Sequence, residues 1–394
     1  MRAPWFQAGS LITPSIRNRE FYFHNYTTII LKIKWRRKAN NKAKSDRIKH
    51  MYKIRVAING AGRIGRAFYK IANERKEIEV VAINDLGDIE NIAYLLKFDS
   101  VYGQSKFDVK VSDDKKSLLV DGKKVLFLSE REPQNLPWKD LDIDVVVEST
   151  GFFTTYEGAG LHLKAGAKRA VVSAPIKGEP GPGVNGATVL MGLNEEKLET
   201  CEISSNASCT TNAASPLLAI LNEELGIEKA ILNTVHSYTA SQSLVDGPNK
   251  KDFREGRAAA QNIVPSSTGA AIAVTKAMPE LTDKFDGISI RVPTPVGSIV
   301  DVTFIAKRNT TVKEVNEIMT KASHSDRWKK IFEVTDLPIV SSDIRDSAHA
   351  SIADLNFTRV VDGNLVKVLA WYDNEMGYTY TLVDHVIKTG QNIK

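Results

Sequence analysis

Gly60-Ala-Gly62-Arg-Ile-Gly65 is the stretch that decides the fold of this chain. Residues 53–59, which precede it, are predicted to form a buried strand, and residues 63–73 have the apolar spacing of a helix. Residues 77–85 are predicted to form a second strand, which completes a βαβ unit. Glycines between such a strand and such a helix let backbone amides approach a pyrophosphate at the helix N-terminus. The stretch therefore predicts a dinucleotide-binding domain.

An acidic residue at the end of the second predicted strand indicates which dinucleotide is bound. Asp85 lies 20 residues beyond Gly65. A carboxylate at this position binds the ribose hydroxyls and repels a 2′-phosphate, so NAD is favoured over NADP. Under the alternative interpretation the glycines are turn residues, Asp85 caps a strand, and Arg63 and Arg66 are solvated helix charges. The cofactor-binding residues predicted here are Gly60, Gly62, Arg63, Ile64, Gly65 and Asp85.

The alternation of strands and helices continues beyond this unit. Strands are predicted at residues 107–111, 117–120, 124–129, 145–147 and 169–173, with a hairpin turn at Asp121-Gly122 and a helical stretch around residues 161–165. After residue 198 the rhythm changes, and residues 230–235, 287–292 and 299–306 are predicted as strands of a second sheet, followed by a helix at 312–322. The predicted fold class is α/β, with a Rossmann-type parallel sheet domain and a second α+β catalytic domain whose sheet is mostly antiparallel.

Composition excludes several classes of protein. The chain has 394 residues, more than one core usually holds, so two closely associated domains are expected. No apolar run reaches the roughly 18 to 20 residues of a membrane span. The two cysteines, Cys201 and Cys209, exclude a disulfide framework and a tetrathiolate zinc site, and they favour a reduced intracellular setting. No metal site is predicted.

The positive charge is concentrated at one end of the chain. Residues 1–50 contain 12 Lys or Arg and 2 Asp or Glu, which leaves a net charge of −4 for residues 51–394 when their +10 is subtracted from the total of +6. This segment is predicted to be a disordered basic extension before a natural start at Met51. An organelle presequence stays open as an alternative.

A candidate nucleophile lies in Ser208-Cys-Thr-Thr-Asn212, between a strand-like segment at 201–205 and a helix-like segment at 213–225. Cys209 is therefore predicted at a helix start, where the helix dipole and unpaired amides stabilise a thiolate. The alternative is that Cys209 is a buried residue that only packs in the apolar core, an interpretation that fits Cys201 better. A base is needed as well, and spacing does not choose among seven histidines, although His236 ends a predicted strand.

Several separated motifs occur in one order along the chain: Asn59-Gly-Ala-Gly-Arg-Ile-Gly-Arg66, Asn84-Asp-Leu86, Phe98-Asp-Ser-Val101, Ser208-Cys-Thr-Thr-Asn212, His236-Ser-Tyr-Thr-Ala-Ser-Gln242, Ser267-Thr-Gly-Ala270, Arg291-Val-Pro-Thr294 and Trp371-Tyr-Asp-Asn-Glu375. Together they resemble the glyceraldehyde-3-phosphate dehydrogenase family, and the likeness runs from Met51 nearly to the C-terminus. It implies that Cys209 attacks the aldehyde of glyceraldehyde 3-phosphate, that His236 accepts the thiol proton, and that hydride passes to NAD. A thioester cleaved by inorganic phosphate then yields 1,3-bisphosphoglycerate in glycolysis and gluconeogenesis.

The resemblance also assigns binding residues. The substrate phosphate site maps onto Thr239, Ser241 and Arg291, and the site of the attacking phosphate onto Ser208, Thr210, Thr268 and Gly269. Further cofactor contacts are implied for Ser173, Asn374 and Tyr378. The ordinary alternative is that the threonines satisfy turns and that Arg291 pairs with a surface acid. The likeness further implies a cytoplasmic homotetramer in which residues 246–261 cross to a neighbouring subunit.

The implied domains are residues 51–208, completed by 374–394, for NAD binding and 209–373 for catalysis. The chain departs from the family pattern at Ala213, Ser241, Ile272 and in a longer loop at 177–186. A sister enzyme that oxidises erythrose 4-phosphate is the nearest rival. The rival from another class is a nucleic-acid or membrane-surface binder that works through residues 1–50; neither nucleic acid nor membrane is the expected partner.

Overall fold

The computed structural model describes residues 53–393, so the predicted disordered extension at residues 1–50 lies outside the described residues. The described helices are α1 (Arg63–Asn73), α2 (Ile89–Lys97), α3 (Tyr156–Lys164), α4 (Cys209–Leu225), α5 (Ala270–Ala277), α6 (Val312–Ser323) and α7 (Met376–Gln391). The strands of the first half are β1 (Ile54–Asn59), β2 (Ile78–Asn84), β3 (Phe98–Asp99), β4 (Gly103–Gln104), β5 (Val109–Val111), β6 (Ser117–Val120), β7 (Lys123–Leu128), β8 (Val145–Glu148), β9 (Arg169–Val172), β10 (Gly186–Thr188) and β11 (Ile203–Ser205). Those of the second half are β12 (Ile227–Ser237), β13 (Val264–Ser267), β14 (Phe285–Val292), β15 (Ser298–Ala306), β16 (Phe332–Thr335), β17 (Ser351–Asp354), β18 (Arg359–Val361) and β19 (Leu365–Tyr372).

The first sheet has the strand order β10-β11-β9-β8-β1-β2-β7-β6-β5. Its pairings are parallel from β10 to β7, and only the β7-β6-β5 edge is antiparallel. The chain leaves β1 for β2 on one side, and the sheet continues through β8 on the other. The carboxyl ends of β1 and β8 therefore form a topological switch point, the place where open α/β sheets bind ligands.

The second sheet has the order β13-β14-β12-β15-β19-β17-β16, with β18 paired to β19. The pairs β12-β15 and β15-β19 are antiparallel, whereas β12-β14 and β16-β17 are parallel. Helix α4 packs on one face, where Leu217, Leu218 and Leu221 share a core with Val300 and Val302 of β15. The α/β class with a mostly antiparallel second sheet is confirmed.

Most predicted elements are confirmed to within a few residues, including the Asp121-Gly122 turn, where both residues have positive φ (49° and 76°). Three boundaries near the site were wrong. Helix α4 begins at Cys209 rather than at residue 213, because Ser208 caps it by accepting a hydrogen bond from Thr211 N. Cys201 is buried but lies before β11 rather than within a strand. Strand β12 runs on through His236 to Ser237.

The C-terminal helix α7 packs in the same core as β1 and β8. The domain limits 51–208 with 374–394, and 209–373, stay predictions. Within residues 53–393 no helix has the length and apolar character needed to cross a membrane.

Candidate active site

A cysteine and a histidine that are 27 residues apart in sequence meet between the two sheets. Cys209 is the first residue of α4 and is half-buried, and its Sγ lies 3.4 Å from Nε2 of His236. Asn206 and Ser208 flank Ala207, which has a positive φ of 54°, so the chain turns sharply between β11 and α4. This turn directs the sulfur towards β12. The predicted nucleophile and base are thus in contact.

Parallel pairing of β12 with β14 sets the surroundings of the imidazole. His236 and Arg291 are register partners, and Nη1 of Arg291 lies 2.7 Å from His236 Nδ1. The Ser237 carbonyl oxygen is also 2.7 Å from Nδ1. Nδ1 can donate to that carbonyl or accept from the guanidinium, and Nε2 faces the sulfur in both cases. Burial, followed by the charge of Arg291, lowers the pKa of His236 from 6.5 to about 3. The imidazole is therefore neutral near pH 7.

The thiol is also neutral in this environment. Burial raises the pKa of Cys209, opposed by the charge of Arg291 and by hydrogen bonds from the Thr210 N–H and hydroxyl. The predicted helix start was confirmed, whereas burial of the sulfur, the largest cause of its pKa shift, opposes the thiolate that a helix start favours. The pair as described is a thiol beside a neutral base.

Tyr372 is a functional candidate that sequence reasoning missed. Its hydroxyl lies 2.9 Å from Thr210 Oγ1 and 2.8 Å from Thr234 Oγ1, which ties the start of α4 to β12. Its ring stands edge-on to His236, with centroids 5.8 Å apart. Burial raises the pKa of Tyr372, so the hydroxyl keeps its proton. The residue lies within the motif Trp371-Tyr-Asp-Asn-Glu375, which was the only available signal.

Of the residues predicted for the substrate phosphate, Arg291 lies near the end of β14, and Thr239 and Ser241 follow the end of β12. Arg291 adjoins His236, and within residues 53–393 its buried Nε has no hydrogen-bond partner. Oγ1 of Thr239 and Oγ of Ser241 are 3.1 Å apart, with Ser241 exposed. The two segments run side by side, since Tyr238 N donates to Thr294 O. The surface-acid alternative for Arg291 is wrong, because its guanidinium contacts His236 and the Ser237 carbonyl.

The residues predicted for the attacking phosphate form two separate pairs, Ser208 with Thr210 and Thr268 with Gly269. Ser208 and Thr210 flank the cysteine, and Ser208 Oγ accepts from Thr211 N at 3.1 Å. Thr268 Oγ1 accepts from Ala270 N at 3.2 Å, and Gly269 precedes α5. Among residues 53–393 no hydrogen bond joins these two pairs. They lie at the N-terminal ends of α4 and α5, which share one core.

The glycine stretch between β1 and α1 has the shape that a dinucleotide requires. Gly60 has a φ of 98°, and a Cβ there would lie 2.7 Å from Thr150 N. A Cβ on Gly65 would lie 2.0 Å from the Gly60 carbonyl oxygen, so helix and turn touch at this point. Gly62 caps α1, and apart from its chain neighbours no heavy atom of residues 53–393 would lie within 4 Å of a Cβ there. The backbone is thus bare where a pyrophosphate would approach.

Asp85 braces this turn from the end of β2. One carboxylate oxygen accepts from Ala61 N at 2.7 Å and the other from Gly87 N at 2.7 Å. Ile64 packs against the first core. The guanidinium of Arg63 is paired with Asp99 and Glu375, so it is not simply a solvated helix charge. A contact between Arg63 and the cofactor stays a prediction.

The implied nicotinamide contacts lie next to the cysteine–histidine pair. Asn374 Oδ1 accepts from Ser237 Oγ at 2.9 Å, from Gly297 N at 3.1 Å and from Ser298 Oγ at 3.2 Å. These donors fix the orientation of the amide and leave its NH₂ group for a carbonyl acceptor. Tyr378 donates to the carbonyl of Ala207 at 3.2 Å. Ser173 follows β9, at the carboxyl edge of the first sheet. The residues present fit NAD.

Two family models match successive parts of the chain. The model described as glyceraldehyde 3-phosphate dehydrogenase, NAD binding domain, matches residues 54–156. The model described as glyceraldehyde 3-phosphate dehydrogenase, C-terminal domain, matches residues 208–374. The first contains the glycine turn and Asp85, and the second contains Cys209, His236 and Arg291.

Individual relatives are similar over most of the chain. Glyceraldehyde-3-phosphate dehydrogenase of Geobacillus stearothermophilus is 45% identical over 333 residues, which are 84% of this chain and 96% of that protein. The protein of the same name from Mycobacterium avium is 46% identical over 347 residues, 86% of this chain and 99% of that protein. Chloroplastic glyceraldehyde-3-phosphate dehydrogenase GAPB of Arabidopsis thaliana is 45% identical over 337 residues, 84% of this chain and 74% of that protein. The chain therefore belongs to the glyceraldehyde-3-phosphate dehydrogenase family and is an NAD-dependent oxidoreductase.

Proposed function

We propose that this chain oxidises glyceraldehyde 3-phosphate with NAD and inorganic phosphate to 1,3-bisphosphoglycerate, in glycolysis and gluconeogenesis, through a thioester on Cys209. The observation that carries the proposal is the 3.4 Å contact between Cys209 Sγ and His236 Nε2, at the start of a helix. A thiol that faces a neutral imidazole can lose its proton as the sulfur attacks a carbonyl carbon. Sulfur also suits phosphorolysis, because a thioester keeps enough energy to form an acyl phosphate.

The steps assign a proton at each stage to His236. Cys209 Sγ bonds to the aldehyde carbon while Nε2 accepts the thiol proton and passes it to the adduct oxygen. When bound, NAD supplies the hydride acceptor. As the carbon loses hydride, Nε2 takes the proton back and later releases it to solvent. A phosphate oxygen then bonds to the thioester carbon, the C–S bond breaks, and the phosphate proton returns to sulfur.

The phosphate of the substrate is proposed to bind Arg291, Thr239 and Ser241. An anion beside Arg291 would offset the guanidinium charge that lowers the pKa of His236. The base would then become stronger only once the substrate is bound. The attacking phosphate is proposed to bind at the ends of α4 and α5, where Ser208, Thr210, Thr268 and Gly269 offer hydroxyls and amides.

The decisive assay follows NADH formation with glyceraldehyde 3-phosphate or erythrose 4-phosphate, each with and without inorganic phosphate. We expect phosphate-dependent NADH formation with the three-carbon substrate, and its loss in Cys209→Ser. Cys201→Ser is the matched control, because that thiol is buried outside the site. Full activity in folded Cys209→Ser would overturn the proposal. Phosphate-independent turnover of erythrose 4-phosphate would favour the sister enzyme instead.

We also propose a homotetramer. Residues 246–261 form a surface segment with the ion pair Arg257–Asp246, and apolar side chains beside and within it are exposed: Leu244 81%, Val245 73% and Phe253 87%. Contact with a second copy would bury them. Light scattering after size exclusion is expected to give four times the chain mass, and Phe253→Glu a smaller assembly. A monomer at micromolar concentration would contradict this.

A cytoplasmic location is proposed on the strength of two free thiols, Cys201 and Cys209. The test is to localise a fluorescent fusion of the full chain beside one that starts at Met51. We expect both in the cytoplasm. Organelle import of the full chain alone would instead make residues 1–50 a presequence.

A further inference from the structure

The turn that leads into the nucleophile is held in an unfavourable backbone conformation. Ala207 has a φ of 54°, in the left-handed region that residues with a Cβ rarely adopt. Surrounding contacts must therefore hold it. Its N–H donates to Ser205 Oγ at 3.0 Å, and its carbonyl accepts from Tyr378 at 3.2 Å. Cys209 follows two residues later, so its position depends on this turn.

Asn206, the residue before the turn, is hydrogen-bonded to side chains of helix α7. It is completely buried, and its Nδ2 donates to Thr381 Oγ1 at 3.2 Å. Thr381 Oγ1 also lies 3.1 Å from Oδ1 of Asn212, whose amide donates to the carbonyls of Asn206 and Ser208. One hydroxyl of α7 thus contacts both amide side chains that bracket the cysteine turn.

His385, one turn further along α7, is a second residue of this helix that contacts Asn206. Its Nδ1 lies 3.2 Å from Asn206 Oδ1, and its Nε2 lies 2.7 Å from Ser204 Oγ. Because Asn206 Oδ1 can only accept, Nδ1 must carry the proton, and Nε2 accepts from the serine hydroxyl in the neutral ring. The imidazole is fully buried, and burial lowers the pKa of His385 to about 3, which agrees with a neutral ring. Both ring nitrogens are therefore satisfied.

We propose that His385 is a positioning residue for Cys209, which holds Asn206 so that the left-handed turn at Ala207 keeps the sulfur in line with His236. His385 has no contact with Cys209 or His236 and acts only through Asn206 and the turn. The inference rests on the proposed function in one respect, namely that Cys209 is the nucleophile. Its distinctive consequence is that a change in α7 alters the reactivity of a thiol in α4.

The test compares three variants of the full chain. His385→Leu removes the donor to Asn206 and leaves Oδ1 buried without a partner. His385→Asn offers an amide N–H in place of Nδ1 and is the conservative rescue. Thr389→Val is the matched control, because Thr389 lies one turn further on α7 and its buried hydroxyl has no partner within residues 53–393.

Two readouts are measured for each variant. One is the rate of iodoacetamide alkylation of Cys209 from pH 6 to 10, followed by peptide mass spectrometry, with Cys201 as an internal reference thiol. The other is kcat and the KM for NAD. We expect His385→Leu to lower kcat about tenfold and to shift the pH profile of Cys209 alkylation, with the KM for NAD unchanged. His385→Asn should stay within about threefold of the parent, and Thr389→Val should match it.

An unchanged Cys209 alkylation profile and kcat in folded His385→Leu would overturn the inference. Equal losses in His385→Leu and Thr389→Val would do so as well, because they would indicate a general effect of weakening α7. If His385→Leu does not fold, Ser204→Ala and Thr381→Val weaken the same chain of hydrogen bonds, and unchanged profiles in both would reject the role. The alkylation readout needs no turnover, so it tests this inference separately from the proposed function. An active Cys209→Ser variant would contradict the proposed function and is a different result.

Discussion

The dinucleotide turn and the nucleophile centre are built in opposite ways. Around Gly60 and Gly65 the turn owes its shape to missing side chains, since a Cβ would lie 2.7 Å from Thr150 N and 2.0 Å from a carbonyl oxygen. The centre around Cys209 owes its geometry to side chains that come from α4, β12, β14 and β19. The dinucleotide turn is formed by backbone that is contiguous in sequence. The nucleophile centre is assembled from side chains that are far apart in sequence. Mutations should therefore act through shape in one region and through lost partners in the other.

The two regions also differ in the partners of their buried histidines. His162 sits under the dinucleotide edge, where Nε2 lies 3.0 Å from Glu148 and Nδ1 accepts from Trp138 at 3.1 Å. His236 faces a thiol and a guanidinium instead. The first imidazole has a complementary partner on each nitrogen, as a structural residue requires. The second has no carboxylate partner among residues 53–393, as suits a group that must exchange a proton.

The largest expected effect breaks the catalytic assembly. In His236→Ala we expect kcat to fall about 10³-fold, because the thiol proton loses its acceptor. Steady-state NADH formation measures this. His324→Ala is the control, since that histidine is exposed at the end of α6. A fall of less than tenfold would remove His236 from the proton pathway.

The next effect tests shape at the dinucleotide turn. Gly65→Ala should lower the free energy of unfolding by about 1–3 kcal/mol without cofactor, because the methyl group overlaps the Gly60 carbonyl. Gly62→Ala should leave that stability unchanged but raise the KM for NAD, since in the described part of the chain only its neighbours lie within 4 Å of the added Cβ. Urea unfolding and kinetics separate the two. Equal destabilisation by both variants would contradict the shape argument.

The two buried, neutral histidines His236 and His385 predict how stability depends on pH. The pKa values of His236 and His385 are lowered from 6.5 to about 3, so between these values the unfolded chain binds more protons than the folded one. Their contribution to stability is complete above pH 6.5 and is lost on acidification, at up to about 1.4 kcal/mol per pH unit for each histidine. Urea unfolding at pH 7.5 and 5 should give a shallower decline in His385→Asn than in the parent. Identical slopes would count against the neutral buried ring.

The smallest effect concerns an exposed member of the catalytic region. Ser241 contacts Thr239 on the surface, so Ser241→Ala should raise the KM for the aldehyde about threefold, the cost of one hydrogen bond to a phosphate. The free energy of unfolding should not change. Kinetics with saturating NAD and phosphate measure the effect. A loss in kcat as large as that of His236→Ala would mean that Ser241 does more than bind.

The fold was predictable where neighbouring residues decide it. The period of residues 54–59 and 63–73, with glycines between them, determined β1, the turn and α1 almost to the residue. The start of α4 was misplaced because the cap at Ser208 depends on a hydrogen bond rather than on apolar spacing. The ion pairs of Arg63 with Asp99 and Glu375 were not predicted, because these partners are distant in sequence.

For the candidate site, too, local features were predictable from the sequence and long-range contacts were not. Local pattern placed Cys209 at a helix start, and resemblance to a family pointed to His236, since spacing alone left seven histidines open. The role of Tyr372 could not be inferred, because its partners Thr210 and Thr234 are more than 100 positions away. The neutral state of Cys209 could not be inferred either, because it depends on burial.

The amino-acid sequence by itself determined the βαβ unit, the bare glycine turn and the family, because short-range periodicity and ordered motifs suffice for these. Only the tertiary structure decided that Arg291 neighbours the imidazole, that burial keeps the thiol protonated and that α7 holds the cysteine turn. The physical reason is that pKa values and side-chain contacts depend on what the folded chain brings within a few ångströms, whereas helices, strands and turns follow from residues adjacent in sequence.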